Sequence, residues 1–233
     1  QAASLRIMTS LLLALQSGIT LMNINEIFLS IQGESTFSGL PCIFIRFCGC
    51  NLNCSYCDTQ YHSEINETLK PYELLEKIQI YSPVKLVELT GGEPLLQPEL
   101  PELISLLHGQ SYRILIETNG SLDLRNLPDY THKIIDVKCP ESGEGDSFLK
   151  ENLLYYSPER DNLKFVISSE NDYQWAKAFL TSNQLAGDSV IFSTVINQLE
   201  PRKIAEWIIR DRLNVRFQLQ IHKYIWSPDQ KGV

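Results

Sequence analysis

Apolar and polar residues in this chain follow two alternating periods. Residues 42–47, Cys-Ile-Phe-Ile-Arg-Phe, form a short and almost unbroken apolar run of the kind a buried strand requires. Similar runs recur at 24–29, 84–89, 112–116, 133–137, 163–167, 189–193 and 215–221. Between them the spacing changes to that of a helix. Leu74, Leu75 and Ile78 share one face over 72–80, with Glu73 four residues before Lys77. Leu100, Leu103, Ile104 and Leu107 repeat at helical intervals after Pro98 and Pro101, and Gly109 stops the run. Two more helices are predicted around 173–180 and 202–210. Residues 123–129 and 141–160 carry little periodicity and are predicted to be loops.

Strands that alternate with helices make βα units, a parallel sheet and right-handed crossovers. About six such units are too few for a closed eight-unit barrel, which takes about 250 residues. The predicted fold class is therefore α/β, a partial, open TIM-like βα barrel. Residues 22–233 form that domain. Residues 1–21 read as an extension outside it, arising from an upstream start or from expression, or disordered. An amphipathic helix docked on the domain is the alternative, because Leu11, Leu12, Leu15 and Ile19 have helical spacing. The apolar run 11–15 after Arg6 is a poor signal peptide, broken by Gln16, Ser17 and Gly18. No stretch reaches the roughly 20 apolar residues of a membrane span.

A net charge of −8 argues against a broad nucleic-acid face and favours a small-molecule substrate. The cysteines sharpen this. Five of six lie between Cys42 and Cys57, with Cys139 alone, which suits metal ligation better than a disulfide framework and places the protein in a reducing, cytoplasmic compartment. Cys50, Cys54 and Cys57 fall within eight residues. A [4Fe-4S] cluster takes one thiolate per iron, so a loop supplying three leaves one iron for another ligand. S-adenosylmethionine (SAM) is the candidate. A zinc site is the alternative, with Cys48 or His62 as fourth ligand, although structural zinc is nearly always four-coordinate. Cys42 and Cys48 read as small buried hydrophobes.

The other unusual residues all follow predicted strands. Thr90-Gly91-Gly92-Glu93-Pro94 follows the second barrel strand, Glu117-Thr118-Asn119-Gly120 the third, Lys138-Cys139-Pro140 the fourth, and His222-Lys223 closes the last. Parallel α/β folds bind ligands at the carboxyl ends of their strands, so these segments are expected to converge. Glycines let a backbone approach a ligand closely, and exposed carbonyls together with Glu93 could accept hydrogen bonds from the SAM ammonium. Asn119 either binds ligand or shapes its turn.

Cys-x3-Cys-x2-Cys with Gly-Gly-Glu-Pro after the next strand resembles the radical SAM superfamily. Within it, the chain from Met22 onward is similar to the 7-carboxy-7-deazaguanine synthases. The resemblance is carried by Glu26-Ile27-Phe28, Ser30-Ile31-Gln32-Gly33-Glu34, Phe44-Ile45-Arg46, Gly49-Cys50-Asn51-Leu52, Cys57-Asp58-Thr59, Asp136-Val137-Lys138-Cys139-Pro140, Lys164-Phe165-Val166 and Gln220-Ile221-His222-Lys223. It implies conversion of 6-carboxy-5,6,7,8-tetrahydropterin to 7-carboxy-7-deazaguanine with loss of ammonia, toward queuosine, with a 5′-deoxyadenosyl radical derived from SAM and with Mg²⁺. An electron donor such as flavodoxin or ferredoxin and a homodimer are implied with it.

Residue by residue, the resemblance makes Cys50, Cys54 and Cys57 the cluster ligands and Thr59 a magnesium ligand. Ile31, Gln32, Gly33, Glu34, Arg46, Thr90, His222 and Pro228 correspond to substrate positions. Arg46 suits the substrate carboxylate, which a guanidinium grips with two hydrogen bonds. Gly92, Lys138, Cys139 and Pro140 correspond to SAM contacts, as do Phe192, Ser193, Thr194 and Val195, the last group through backbone atoms. Ser35 departs from the glycine usual after Gln-Gly-Glu. A glycyl-radical-enzyme activase, with the same cysteine spacing, is the rival enzyme; a zinc-stabilised interaction module is the rival without catalysis.

Overall fold

The computed structural model describes residues 21–227 and 230–233. The proposed extension over residues 1–21 lies outside them except for Leu21, and so does Pro228. A single nine-stranded sheet organises the chain: β1 (Met22–Ile31), β2 (Pro41–Phe47), β3 (Glu67–Leu69), β4 (Leu86–Gly91), β5 (Arg113–Thr118), β6 (His132–Asp136), β7 (Asn162–Ile167), β8 (Gly187–Thr194) and β9 (Val215–Phe217). Their order across the sheet is β3-β1-β2-β4-β5-β6-β7-β8-β9. β1 runs antiparallel to β2 and β3, and every pairing from β2 to β9 is parallel. With β3 and β9 as its two edges the barrel stays open, as the number of units predicts.

Helices α1 (Pro71–Ile78), α2 (Leu100–Gly109), α3 (Glu170–Ser182) and α4 (Pro201–Asp211) fill the crossovers, and a single turn, α5 (His222–Ile225), follows β9. The outward sheet face is apolar and meets these helices. Ile43, Ile45, Phe47, Val87, Leu89, Ile114 and Ile116 pack with Leu74 and Ile78 of α1 and Leu103, Ile104 and Leu107 of α2. Ile135, Leu163, Phe165, Val190 and Phe192 pack with Tyr173, Ala176 and Leu180 of α3 and Ile204 of α4.

The inward face differs. Strand pairing aligns Phe44 with Glu88 and Leu115, Arg46 with Thr90, Glu117 with Ile134, Asp136 with Lys164, and Val166 with Ser193. Register partners in parallel strands share a face. Toward the amino ends of the strands this interior is plugged by Cys42, Leu86, Leu115 and Ile134, with Phe37 and Phe44 against them. Beyond the plug stand the charges. The charged inward positions interrupt apolar runs, and they line the cavity.

Two expectations need correction. Residues 215–221 do not form one strand: β9 ends at Phe217, and after Gln218 N–H donates to Phe192 O (2.9 Å) the chain leaves the sheet. His222 and Lys223 therefore open α5 instead of closing a strand. Ile221 N–H donates to Gly33 O (3.1 Å) and Gln218 Nε2 to Ser35 O (2.7 Å), fastening this segment across the β1–β2 turn. The loop predicted over 141–160 contains two short 3-10 turns, Pro140–Ser142 and Lys150–Tyr155. The short strand β3 was not predicted from the sequence; three residues carry too little pattern.

Candidate radical SAM active site

A cavity of about 780 Å³ opens at the carboxyl ends of the strands. Its wall brings together Ile31, Gln32, Gly33 and Glu34 from the β1–β2 turn, Arg46, the three cysteines, Thr59, Thr90, Gly92, Asn119, Lys138, Val195 and His222. These residues span most of the chain, and only the fold collects them.

The cysteine loop is clamped on two sides. Glu93 N–H donates to Gly49 O (2.8 Å) and Gly92 N–H to Phe47 O (3.3 Å). A Cβ on Gly92 would stand 2.1 Å from Gly49 O and 2.8 Å from the Cβ of Cys50, so the close approach admits only glycine there. On the far side Ser55 donates through its N–H to Ser142 O (2.9 Å) and through its hydroxyl to Glu141 O (2.8 Å), while Asn53 N–H meets Glu144 Oε1 (2.8 Å).

Cys50, Cys54 and Cys57 are free thiols at this wall, partly exposed. Burial pushes the Cys54 thiol up to about 11, so it stays protonated until a metal takes the proton's place. Among the described residues no three His, Cys, Asp or Glu side chains converge on one ion. Three cysteines within eight residues on the cavity wall suit a cluster that takes each thiolate on a different iron. The residues fit the group.

Above the plug the inner face carries a chain of ion pairs. Lys164 Nζ, almost fully buried, meets Glu117 Oε1 at 2.5 Å, Glu34 Oε2 at 2.8 Å and Asp136 Oδ2 at 3.7 Å. Asp136 Oδ2 also pairs with Lys138 Nζ (2.8 Å), while its other oxygen is buried without a partner. Thr90 donates to Glu117 Oε2 (3.0 Å). Burial alone would raise Glu117; the Lys164 ammonium and Thr90 hold it down at about 2. Among the described residues Glu88 has no such counter-ion in contact. Burial, then the neighbouring Glu117 and Glu34, push it well above the usual carboxylate range.

Arg46 Nε pairs with Glu26 Oε1 (2.7 Å), which also accepts from Tyr61 OH (3.1 Å), and Nη1 donates to Thr59 Oγ1 (3.3 Å). Guanidinium and Thr59 hydroxyl therefore stand side by side on the wall. His222 packs its ring on Gly33, where a Cβ would meet Nδ1 at 2.0 Å, and burial lowers its basicity.

Some predicted contacts do not reach the cavity. The Glu93 carboxylate is wholly buried, accepting from Leu95 N–H (3.1 Å), Thr118 hydroxyl (2.9 Å) and Asn119 N–H (2.8 Å), so it braces two strand-end turns and is not offered to an ammonium. Cys139 is buried among the core side chains, and its carbonyl accepts from Ser142 Oγ (2.6 Å). Pro140 lines a separate, smaller hollow of about 390 Å³ with Trp175. Of Phe192, Ser193, Thr194 and Val195 only Val195 lines the cavity; Phe192 is core, and Ser193 faces inward beside Val166 with its buried hydroxyl unpartnered. Asn119 shapes its turn and also lines the cavity. Its Oδ1 accepts from Ser121 N–H (3.0 Å), closing the turn, and its Nδ2 donates to Asn51 Oδ1 (3.1 Å) and reaches Cys50 Sγ (3.8 Å). Residues that sequence reasoning assigned no role also line the wall: Glu88, Glu117, Lys164, Gln220, and Gln230, Lys231 and Val233 of the tail.

The chain is similar to known proteins. The Radical SAM superfamily profile matches residues 44–139, from Phe44 of β2 to Cys139. The 7-carboxy-7-deazaguanine synthase of Chlorobaculum tepidum is 46% identical over 215 residues, covering 91% of this chain and 97% of that protein. The enzyme of the same name from Koribacter versatilis is 43% identical over 227 residues, covering 91% of this chain and all of that one. The chain belongs to the 7-carboxy-7-deazaguanine synthase family. In the solved structures, QueE from Escherichia coli shares the fold, with a TM-score of 0.66 at 24% identity, over 86% of this chain and 95% of that one. As a member of this family and of the radical SAM superfamily, the protein is an enzyme that uses a [4Fe-4S] cluster and SAM. Among the described residues no helix is long and apolar enough to cross a membrane.

Proposed function

We propose that this enzyme converts 6-carboxy-5,6,7,8-tetrahydropterin to 7-carboxy-7-deazaguanine, releasing ammonia, as a step toward queuosine. The observation that carries the reading is one cavity that joins the cysteine loop to Gln32, Glu34, Arg46, Thr59 and Thr90. Its volume of about 780 Å³ suits a small molecule, within the range of roughly 300–1,000 Å³ common for ligand sites. That favours the pterin over the protein substrate of an activase.

Cys50, Cys54 and Cys57 would hold the cluster, and Gly92, Lys138 and Val195 would line the SAM side of the cavity. When bound, cluster and SAM supply a radical able to abstract hydrogen from the substrate. Arg46 would grip the substrate carboxylate, aimed by Glu26, while Gln32 and Glu34 would read the donor and acceptor edge of the pterin. Thr59 would be a ligand to Mg²⁺, a hard cation that prefers oxygen donors and usually keeps part of its shell for substrate and water. His222 would close the substrate side from the tail. A homodimer in the cytosol, reduced by flavodoxin or ferredoxin, completes the proposal, with the working domain over residues 22–233.

The test is turnover. Anaerobically reconstituted enzyme with verified cluster and reductant should yield 7-carboxy-7-deazaguanine by mass spectrometry; absence of product overturns the reading. Removal of Mg²⁺ by chelation should raise KM for the pterin and leave KM for SAM in place, and equal changes in both would remove Thr59 from the substrate side.

A further inference from the structure

Glu88 is a carboxyl group on the floor of the cavity, 3% exposed, and among the described residues no ion pair neutralises it. It stands on the inner face of β4 between Phe44 and Leu115, just above the apolar plug. Its partner is the amide of Gln32: Gln32 Nε2 donates to Glu88 Oε2. The other end of that amide is fixed as well, because Gln32 Oε1 accepts from Glu34 N–H at 2.7 Å. A primary amide has two N–H groups, so the second remains for whatever occupies the cavity that Gln32 lines.

We infer that Glu88 is a positioning residue, which locks the Gln32 amide with an N–H edge toward the cavity so that Gln32 meets an acceptor oxygen or ring nitrogen of the substrate. Without Glu88 only Glu34 N–H holds the amide, at its oxygen end, and the Nε2 end can turn away from the cavity. Burial and the carboxylates beside it shift Glu88 toward its neutral form, which limits the negative charge beneath a substrate that is itself an acid. A neutral residue of the same shape, with a carbonyl oxygen in place of Oε2, should do the same work.

This inference rests on the reaction proposed above. It is tested by four reconstituted proteins, wild type, Glu88→Leu, Gln32→Ala and the double variant, with Glu88→Gln as the rescue. Glu88→Leu should raise KM for the carboxypterin about tenfold, with kcat within about threefold and with KM for SAM and iron content unchanged. Glu88→Gln should bring KM back to within about threefold of wild type. Added to Gln32→Ala, the leucine should raise KM no further, because it acts through the amide already removed. An equal KM rise in both backgrounds, or a glutamine as damaging as leucine, overturns the inference. If Glu88→Leu fails to fold, Glu88→Thr takes its place.

Should wild type give no product at all, the reaction proposal fails by itself, and melting temperatures of the same reconstituted proteins test the pair without substrate. The shift caused by the Glu88 substitution should then differ between the wild-type and Gln32→Ala backgrounds by about 2 °C or more. Equal shifts overturn the inference.

Discussion

Replacing Lys164 by methionine would remove the one ammonium that meets both Glu117 (2.5 Å) and Glu34 (2.8 Å) and lies 3.7 Å from Asp136. The methionine fills nearly the same space, so the loss is electrostatic. Breaking a buried pair by removing one partner costs about 3–5 kcal/mol, because the remaining charge is left in a medium that solvates it poorly. Here two carboxylates are stranded in contact distance of the vacated position, so the expected loss at pH 7 lies in that range. Urea unfolding of the cluster-free chain under reducing conditions would measure it.

The pH dependence separates this account from a simple packing defect. In wild type Glu117 is held at about 2, below its unfolded value of about 4.3. Its contribution is therefore complete above about pH 4.3 and is lost as pH falls toward 2. In Lys164→Met, burial and the neighbouring carboxylates raise Glu117 above its unfolded value. Between that value and the raised one the native state then binds a proton that the unfolded chain lacks, so stability declines as pH rises. The gap between the two proteins should be widest near neutrality and should shrink steadily toward pH 4. A gap that stays constant from pH 8 to pH 4 would refute the reasoning. Adding Glu117→Gln to the variant should recover at least about 1 kcal/mol at pH 7, since it removes one stranded charge.

Three further outcomes follow from local geometry. Gly92→Ala places a Cβ 2.1 Å from Gly49 O, and because backbone cannot yield as a side chain does, the cysteine loop should shift and bound iron should fall well below wild type; Gly109→Ala, with open space around the added atom, is the control that should retain its iron. Ser35 sits at φ 61°, where glycine is at ease and a β-branched residue is not; Ser35→Gly should change stability by no more than about 1 kcal/mol, whereas Ser35→Val should cost about 2 kcal/mol or more in urea unfolding, and the reverse order would be fatal to the strain argument. Cys54→Ala should abolish the brown absorbance of the reconstituted enzyme and its turnover together, while Cys48→Ala should spare both, because Cys48 is buried and does not line the cavity; survival of the cluster in the first variant would mean that its ligands are misassigned.

How much of this was legible in the sequence depends on the range over which each feature is determined. The outward sheet face could be read directly: Ile43, Ile45 and Phe47, or Val87 and Leu89, announce a strand packed on helices by period alone. The cysteine loop and Gly92 could be read because their chemistry is local, and Ser35 because one φ angle explains the glycine it replaces. For Glu93, Cys139 and Phe192 the sequence located the segments at the strand ends without saying which side chains turn inward, and these three side chains are buried. The ion pairs were hidden for a different reason. Lys164 lies 130 residues from Glu34 and 47 from Glu117, and the register of separate strands, not any spacing, makes them neighbours.

Even so, a trace was present. Arg46, Glu88, Glu117, Asp136 and Lys164 each fall within or at the end of an apolar run, and a strand covered by helices on one face does not tolerate a charge on the other unless something answers it. Each of these positions lies next to residues that point outward into the core, so strand alternation puts all five on the opposite face. Read together as one set, they describe a charged interior at the carboxyl end of a βα sheet. For Arg46, Glu117, Asp136 and Lys164 the answering charge lies within the protein; among the described residues Glu88 is answered by a glutamine amide and by no ion pair, which is why it is the residue most informative about what the cavity is shaped to hold.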